Sequence, residues 1–360
     1  IPIINWRKFA EDAGISPVPY IPFKENYGFQ EYAGCEDILL GNFHSWLAEN
    51  YPELRNKKHK PLDKQGPGDL YVSPYPSQAH PTTFIAKQAE NFIKNYRNKS
   101  PWFVFCSFIA PHHPFEAPQE QIDRYDFENI PLPSYKEGVE KDFIPHPASS
   151  AIDEMKGYSK FVQRKIVQHY FASISLIDDC VGNLMRTLEE TGQINNTIIV
   201  FTSDHGEFLG NHGLLRKPSI HYDELIRVPL VIKPPDGLCV GMRVGGLVEL
   251  ADVYPTLAGF LGLPVNQGVQ GIDWSNHLIN RKTFGRGNIC SDMFDIRPVF
   301  GSPSGPYMDV MTLRTDEWKL NIYPSAGIQY GQLFNLKEDP DETRNLYADV
   351  SLNHIREELL

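Results

Sequence analysis

The sequence predicts an α/β protein with a mostly parallel central sheet sandwiched by helices and a small antiparallel sheet near the C-terminus. Two continuous apolar runs, Trp102–Ile109 and Thr197–Phe201, are typical of strands buried on both faces of a parallel sheet. A long helical pattern, about Lys160–Thr191, lies between them and completes a strand–helix–strand unit. Beyond about residue 282 the pattern changes to short strands joined by turns.

The first part of the chain predicts irregular segments and two amphipathic helices. Residues 1–34 show no steady period, and the prolines of 51–80 prevent a regular element there. Glu36–Glu49 and Thr82–Tyr96 place apolar side chains at helical spacing. The long proline-rich stretch 114–158 is expected to shape a substrate pocket, because loops of this length in compact domains are often functional.

The elements that follow are predicted from the spacing of apolar residues and from residues that end a helix or strand. The Lys160–Thr191 helix carries one apolar stripe, and Gly192 stands where a C-terminal cap is expected. Val228–Lys233 and Arg243–Glu249 are predicted strands, and Ala251–Leu261 is a predicted helix. The predicted C-terminal strands are Asn288–Asp292, Met308–Arg314, Trp318–Tyr323 and Gln332–Leu336. These elements suggest an α/β domain of residues 1–281 and a small antiparallel-sheet subdomain of residues 282–360.

Composition narrows the class of partner. The chain of 360 residues is 41% hydrophobic and 22% charged, as expected of a globular protein, and its formal net charge is −11. This charge argues against nucleic acid as a partner, although a few local cations could still bind an anionic substrate in a cleft. No apolar run approaches the roughly 18 residues that a membrane span requires. The five cysteines form no C-x-x-C pair, so a zinc ribbon or redox motif is not expected.

The candidate site follows the predicted Thr197–Phe201 strand. Asp204 and His205 are both metal-ligand residue types, and Gly206 allows a close turn around them. The same residues could instead form only a polar turn that caps a strand. The Trp102–Ile109 run similarly ends in His112 and His113, which either contribute to a site or only order a proline-rich turn.

The stretch after Thr197 resembles the sulfatase family (arylsulfatase-like) of the alkaline-phosphatase-like superfamily. The resemblance rests on Ser203–Glu207, Gly210–Gly213, Lys217, Tyr222-Asp223 and Arg227–Pro229, in that order. Further similar segments are Pro111–Pro114, Asp252–Leu257, Gly268–Gly271, Gln332–Leu336, Asp339–Glu342 and Asn345-Leu346.

The resemblance implies a role for each candidate residue. His112 would contact the sulfate ester and assist the leaving group, and Lys217 would hold a sulfate oxygen. Asp204 and His205 would bind a divalent cation. Ca²⁺ is the expected ion, with Mn²⁺ or Mg²⁺ as alternatives because His205 is a softer ligand than the asparagine that the family often carries. His221 would line the substrate pocket.

One expected part of the family's site has no counterpart. The resemblance covers about residues 28–346, and none of the five cysteines lies in the C-x-P-S-R or S-x-P-S-R motif whose Cys or Ser becomes formylglycine. No adjacent aspartate pair ends an apolar strand either. We therefore expect the sequence to be an N-terminally incomplete part of a longer polypeptide, or one chain of a processed enzyme.

The resemblance implies hydrolysis of a small-molecule or carbohydrate sulfate monoester, with the formylglycine supplied by a segment outside this chain. The alternatives are a phosphodiesterase or phosphonate monoester hydrolase of the same superfamily, and a non-catalytic protein that only binds. The resemblance favours a periplasmic or secreted protein, although no signal peptide is visible. The oligomeric state stays open.

Overall fold

The structure is a computed structural model that describes residues 31, 33–35, 42–55, 57, 60–62, 70–133, 144–145, 154–235, 241–295 and 308–360. The chain divides into two compact units, one from Ile1–Pro131 and Lys160–Gly192 and the other from Leu132–Ser159 and Gln193–Leu360. The predicted irregular N-terminus, the start of the Glu36–Glu49 helix and much of the 114–158 loop lie outside the described residues.

The first unit consists of helices around a small sheet. Its helices are α1 (Phe43–Asn50), α2 (Pro81–Asn95), α3 (Gln119–Ile122) and α4 (Lys160–Glu190), and its strands are β1 (Lys60–Pro61), β2 (Leu70–Val72) and β3 (Phe115–Ala117). β2 runs parallel to β3 and antiparallel to β1. The long helix α4 packs against α2 and β3. The predicted helices Thr82–Tyr96 and Lys160–Thr191 are confirmed, and Gly192 has the expected positive φ of 68°.

The second unit contains the C-terminal sheet. Its strands are β4 (Ile199–Thr202), β5 (Leu230–Lys233), β6 (Asn288–Asp295), β7 (Met308–Thr315), β8 (Trp318–Ile322) and β9 (Gly331–Asn335), and its helices are α5 (Asp223–Ile226), α6 (Val253–Leu261), α7 (Ser275–Ile279) and α8 (Asn353–Leu359). Strands β6 to β9 form a four-stranded antiparallel sheet in sequence order, as predicted. The α/β class is thereby confirmed, whereas the boundary after residue 281 stays a prediction.

The core of the second unit joins the C-terminal sheet to the loop that follows β4. Phe208 and Tyr222 from the loop region are buried in one apolar cluster with Val310, Tyr323 and Phe334 from the sheet region. Burying a side chain of this size stabilises a fold by about 1.5–3 kcal/mol. The position of the loop is therefore determined by its contact with the sheet.

Two predicted strands are corrected. Trp102–Ile109 forms no strand, and Phe103 and Phe105 in it are 65% and 72% exposed. Arg243–Glu249 contributes only one isolated bridge, between Leu247 and Arg286. A strand is defined by a continuous ladder of hydrogen bonds to a neighbouring strand, and no ladder among the described residues includes either segment.

The environment of β4 also differs from the prediction. β4 pairs antiparallel with β5, and Phe201 of β4 and Val231 of β5 are 43% and 60% exposed. The apolar run predicted a strand buried on both faces of a parallel sheet. Side-chain hydrophobicity predicts burial but carries no information on the direction of the neighbouring strand, which explains the wrong pairing.

Within the described ranges, no helix has both the length and the apolar character needed to cross a membrane.

Candidate functional site

The loop after β4 begins with a tight polar turn. Ser203 donates its hydroxyl to the carbonyl of His205 at 2.8 Å, and the amide of His205 donates to Asp204 Oδ1 at 2.9 Å. The Asp204 side chain is 86% exposed, so its carboxylate is accessible to a ligand. The polar turn that was predicted as the alternative to a ligand site therefore forms, and it leaves the Asp204 carboxylate accessible to a ligand.

Gly206 allows this turn to pack against the start of α5. Its amide donates to the carbonyl of Leu225 at 2.7 Å, and a Cβ at this position would collide with the carbonyl of Glu224. Only glycine permits such a close approach of two backbone segments. The Asp204-His205 pair is thereby fixed relative to α5.

The backbone also determines the tautomer of His205. Nδ1 lies 2.7 Å from the carbonyl oxygen of Gly206, which can only accept a hydrogen bond, so Nδ1 carries the hydrogen. In the neutral ring, Nε2 then carries the lone pair. Nε2 is also the atom that lies 3.6 Å from Asp204 Oδ2.

Lys217 reaches the same point from the far end of the loop. Its Nζ lies 2.9 Å from His205 Nε2, as an ammonium donating to the ring lone pair. Asp204, His205 and Lys217, which the sequence predicted as metal and catalytic residues, are therefore brought together. Their arrangement combines a carboxylate, a basic nitrogen and a cation.

The loop between His205 and Lys217 is closed by Glu207, which the sequence reasoning did not single out. One oxygen of this partly buried carboxylate, Oε1, accepts the amides of both Leu209 and Arg216. Burial raises the pKa of Glu207, and these two hydrogen bonds only partly offset that effect. The sequence signal that could have identified Glu207 was its place at the end of the Ser203–Glu207 motif, directly before the loop.

The middle of the loop is held by His212. Its ring stacks on Tyr222 at 3.9 Å, and Nε2 lies 3.4 Å from Glu224 Oε2. His212 has a φ of 55°, a left-handed conformation that the preceding Gly210 shares with a φ of 100°. The loop thus returns to α5, and Lys217 follows directly after it.

His221, the predicted substrate-binding residue, contacts the C-terminal sheet. It is 3% exposed, and burial together with the positive Lys319 lowers its pKa to about 4. Nδ1 lies 2.8 Å from Thr312 Oγ1, whose hydroxyl donates to Asn321 Oδ1 at 2.8 Å. Since the Thr312 hydrogen is already donated, His221 must donate from Nδ1. The substrate role of His221 stays a prediction.

The sheet residues that hold His221 were missed by the sequence reasoning. The side-chain nitrogen Nδ2 of Asn321 donates to the backbone carbonyl of His221 at 2.9 Å and to Gln332 Oε1 at 3.0 Å, which fixes the orientation of the side-chain amide. Gln332 in turn donates to the hydroxyl of Tyr222 at 2.9 Å. No sequence signal pairs Thr312 with a histidine 91 residues away.

His112, the predicted leaving-group acid, lies in the first unit. Its Nδ1 is 2.6 Å from the carbonyl oxygen of His113, so Nδ1 carries a hydrogen there as well. The two rings stack at 4.0 Å with an interplanar angle of 27°. The peptide bonds before Pro111 and Pro114 are both cis. Nε2 is therefore the ring atom through which His112 would exchange a proton with a ligand.

The donor set fits part of a divalent-cation site. A carboxylate suits Ca²⁺, Mn²⁺ or Mg²⁺, whereas an imidazole Nε2 is a softer ligand than these ions usually take. Within the described part of the chain, no group of three or more His, Cys, Asp or Glu side chains could hold a metal ion. Asp204 and His205 would thus supply some of the ligands, and the others would come from elsewhere.

Comparison with known proteins gives two matching family models. The model described as sulfatase matches residues 28–263, and the model described as N-sulphoglucosamine sulphohydrolase, C-terminal, matches residues 210–360. The second match overlaps the first over the loop, α5 and α6, and then covers the C-terminal sheet.

Individual relatives agree with these models. An arylsulfatase of Clostridium perfringens is 29% identical over 276 residues, which cover 76% of this chain and 54% of the relative. A multifunctional alkaline phosphatase superfamily protein of Trinickia caryophylli is 30% identical over 356 residues, which cover 89% of this chain and 67% of that protein. The chain therefore spans about half to two thirds of the length of these relatives.

A solved structure shares the fold. The phosphonate monoester hydrolase of Agrobacterium radiobacter has a TM-score of 0.73 and 23% sequence identity, with 88% of this chain and 67% of that chain covered. At this level of identity the likeness supports the fold only.

Proposed function

Because this chain belongs to the sulfatase family, we propose that it hydrolyses a sulfate monoester of a sugar or an aryl alcohol. The observation that carries the proposal is the convergence of Lys217 on the Asp204-His205 pair, with Nζ 2.9 Å from His205 Nε2. The Lys217 ammonium beside two metal-ligand side chains suits a tetrahedral anion, which would be bound by the ammonium and by the metal ion together.

Each of these residues has a distinct part in the proposal. Asp204 and His205 would hold a divalent cation, with Ca²⁺ expected and Mn²⁺ or Mg²⁺ as alternatives. When bound, such a cation supplies Lewis-acid withdrawal of charge from a sulfate oxygen. Lys217 would hold another sulfate oxygen through its ammonium, which offers three N–H donors.

His112 is proposed as the acid that protonates the leaving oxygen. The carbonyl of His113 accepts from Nδ1, so the proton at Nε2 is the one that can be given away. A general acid of this kind contributes about 10²–10⁴-fold to a rate. The nucleophile is proposed to be a formylglycine on a segment outside this sequence, because none of the five cysteines lies in a C-x-P-S-R motif.

The substrate class is proposed from the matching families. The match of residues 210–360 to the C-terminal part of N-sulphoglucosamine sulphohydrolase supports a sugar sulfate, and the arylsulfatase relative supports an aryl sulfate. A second candidate is hydrolysis of a phosphodiester or phosphonate monoester, which present a similar tetrahedral anion. It is favoured by the relative described as multifunctional, which matches 89% of the chain.

Turnover by the protein from its natural source tests the proposal. Nitrophenyl sulfate, glucosamine sulfates, bis-nitrophenyl phosphate and a phenylphosphonate monoester would be compared with Ca²⁺, Mn²⁺ or Mg²⁺ present. We expect the sulfates to be the better substrates and a peptide map to show an aldehyde-bearing residue. Preference for the phosphorus esters would favour the second candidate. No turnover of any ester would favour a binding protein.

A further inference from the structure

Building on the proposed function, we infer that Lys217 and the metal ion compete for one atom, Nε2 of His205, so that metal binding makes one N–H donor of Lys217 available to the substrate. The hydrogen bonds around His205 would thereby couple the metal ligands to the lysine that holds the substrate.

The first step is the availability of a single lone pair. The carbonyl of Gly206 accepts from Nδ1 at 2.7 Å, so the neutral ring has its only lone pair on Nε2. The Gly206 backbone is itself held by its hydrogen bond to Leu225, and a larger residue would not fit. The ring is therefore not free to exchange its two nitrogens.

The second step is that Lys217 occupies this lone pair. Its Nζ is 2.9 Å from Nε2, and an ammonium can only donate. A divalent cation ligated by His205 needs the same lone pair, and it also repels a neighbouring ammonium. Both effects require the Lys217–His205 hydrogen bond to break when the cation binds.

The third step concerns what the released ammonium does. Asp204 Oδ2 lies 3.6 Å from Nε2, so a cation held by both residues would also neutralise the charge of this carboxylate. The N–H of Lys217 that pointed at Nε2 can then be donated to an anionic oxygen. Metal and substrate binding are coupled in this scheme, and the coupling is reciprocal.

The competition between Lys217 and the metal ion depends on a histidine at position 205. An imidazole offers one lone pair on a ring whose orientation the backbone fixes, whereas an asparagine oxygen has two lone pairs and could accept from a lysine while binding a metal. Occupation of the only lone pair by Lys217 is thus a consequence of His205 itself.

Metal affinity of the purified protein tests the inference without turnover. Binding of Mn²⁺ would be titrated by electron paramagnetic resonance, and binding of Ca²⁺ by calorimetry. We expect Lys217→Met to tighten binding by about threefold or more, because a competing hydrogen bond is removed. Asp204→Ala and His205→Ala should weaken it. The control Lys337→Met removes an exposed lysine of the same unit and should leave the affinity unchanged.

The outcomes separate the inference from the proposed function. If the ligand variants weaken binding but Lys217→Met does not tighten it, the competition is wrong and the metal site stands. If neither the wild-type protein nor any variant binds a divalent cation, both the competition and the metal role in the proposed function are wrong. Thermal unfolding of each variant would show that loss of affinity does not reflect loss of fold.

Discussion

The ammonium of Lys319 lies 3.0 Å from Oδ1 of Asp223 with its own side chain completely removed from solvent. It also pairs with Glu342, whose side chain is 1% exposed and whose Oε2 accepts the amide of Asp223 at 2.7 Å. Burial raises the pKa of Glu342 to about 6, although Lys319 opposes this shift. The C-terminal sheet thus holds the first turn of α5, against which the candidate site packs, through buried charges.

Replacement of Lys319 by methionine should destabilise the protein severely. Asp223 would keep Arg314, 3.3 Å from its Oδ2, but the buried Glu342 would lose the ammonium that faces it. Removing one partner of a buried ion pair costs about 3–5 kcal/mol. The free energy of unfolding in urea measures this. Lys337→Met, at an exposed position, should stay within about 0.5 kcal/mol of wild type. A Lys319→Met protein of wild-type stability would contradict the prediction.

Elements with local signals could be predicted from the sequence. The helix Lys160–Glu190 shows its period over many turns, and the hairpin of β7 and β8 is framed by turn residues. The convergence of Asp204, His205 and Lys217 was likewise predictable, because all three belong to one continuous motif.

Features that depend on distant neighbours could not be predicted. Trp102–Ile109 reads as a strand because side-chain composition does not reveal whether a hydrogen-bonded neighbour exists. The hydrogen bond between Thr312 and His221 joins residues 91 positions apart in the sequence, and the Lys319–Asp223 ion pair joins residues 96 positions apart. Such polar contacts are specified by the folded geometry and have no periodic signature.

Removal of the Glu207 side chain should loosen the loop that carries Lys217. Glu207→Ala removes the carboxylate that accepts the partly buried amides of Leu209 and Arg216, at a cost of up to about 1–3 kcal/mol for each amide. Glu207→Gln retains Oε1, the oxygen that accepts both bonds, and should be much closer to wild type. Hydrogen exchange of residues 207–217 would measure the difference. Equal protection in both variants would argue against this role.

His112→Ala should slow hydrolysis most when the leaving group is a poor one. A sugar alcohol needs protonation as it leaves, so its sulfate should lose about 10²–10⁴-fold in kcat. Nitrophenolate needs little assistance, and nitrophenyl sulfate should lose less. His113→Ala keeps the backbone carbonyl that accepts from His112 Nδ1, and should affect both substrates little. An equal loss with both leaving groups would indicate a positioning role for His112.

Stability should fall between pH 7 and pH 5, in part because of His169 on α4. Its side chain is 1% exposed, and burial, with a smaller effect of Lys165, lowers its pKa from 6.5 to about 4. Between these values the unfolded chain binds the proton more readily, so the contribution is present above the unfolded pKa and is lost as the pH falls. Linkage gives a loss of about 2 kcal/mol between pH 7 and pH 5.

The contribution of His169 can be separated from that of other groups by substitution. His221 has the same direction of shift, whereas the raised pKa of Glu342 works the opposite way, favouring the folded state as the pH falls from about 6. Comparing unfolding free energies at the two pH values, His169→Gln should show a smaller loss than wild type by roughly that 2 kcal/mol. The exposed His44→Gln should match wild type. If His169→Gln also keeps the full pH dependence, the histidine is not buried in its neutral form, and the packing of α4 against β3 must admit water.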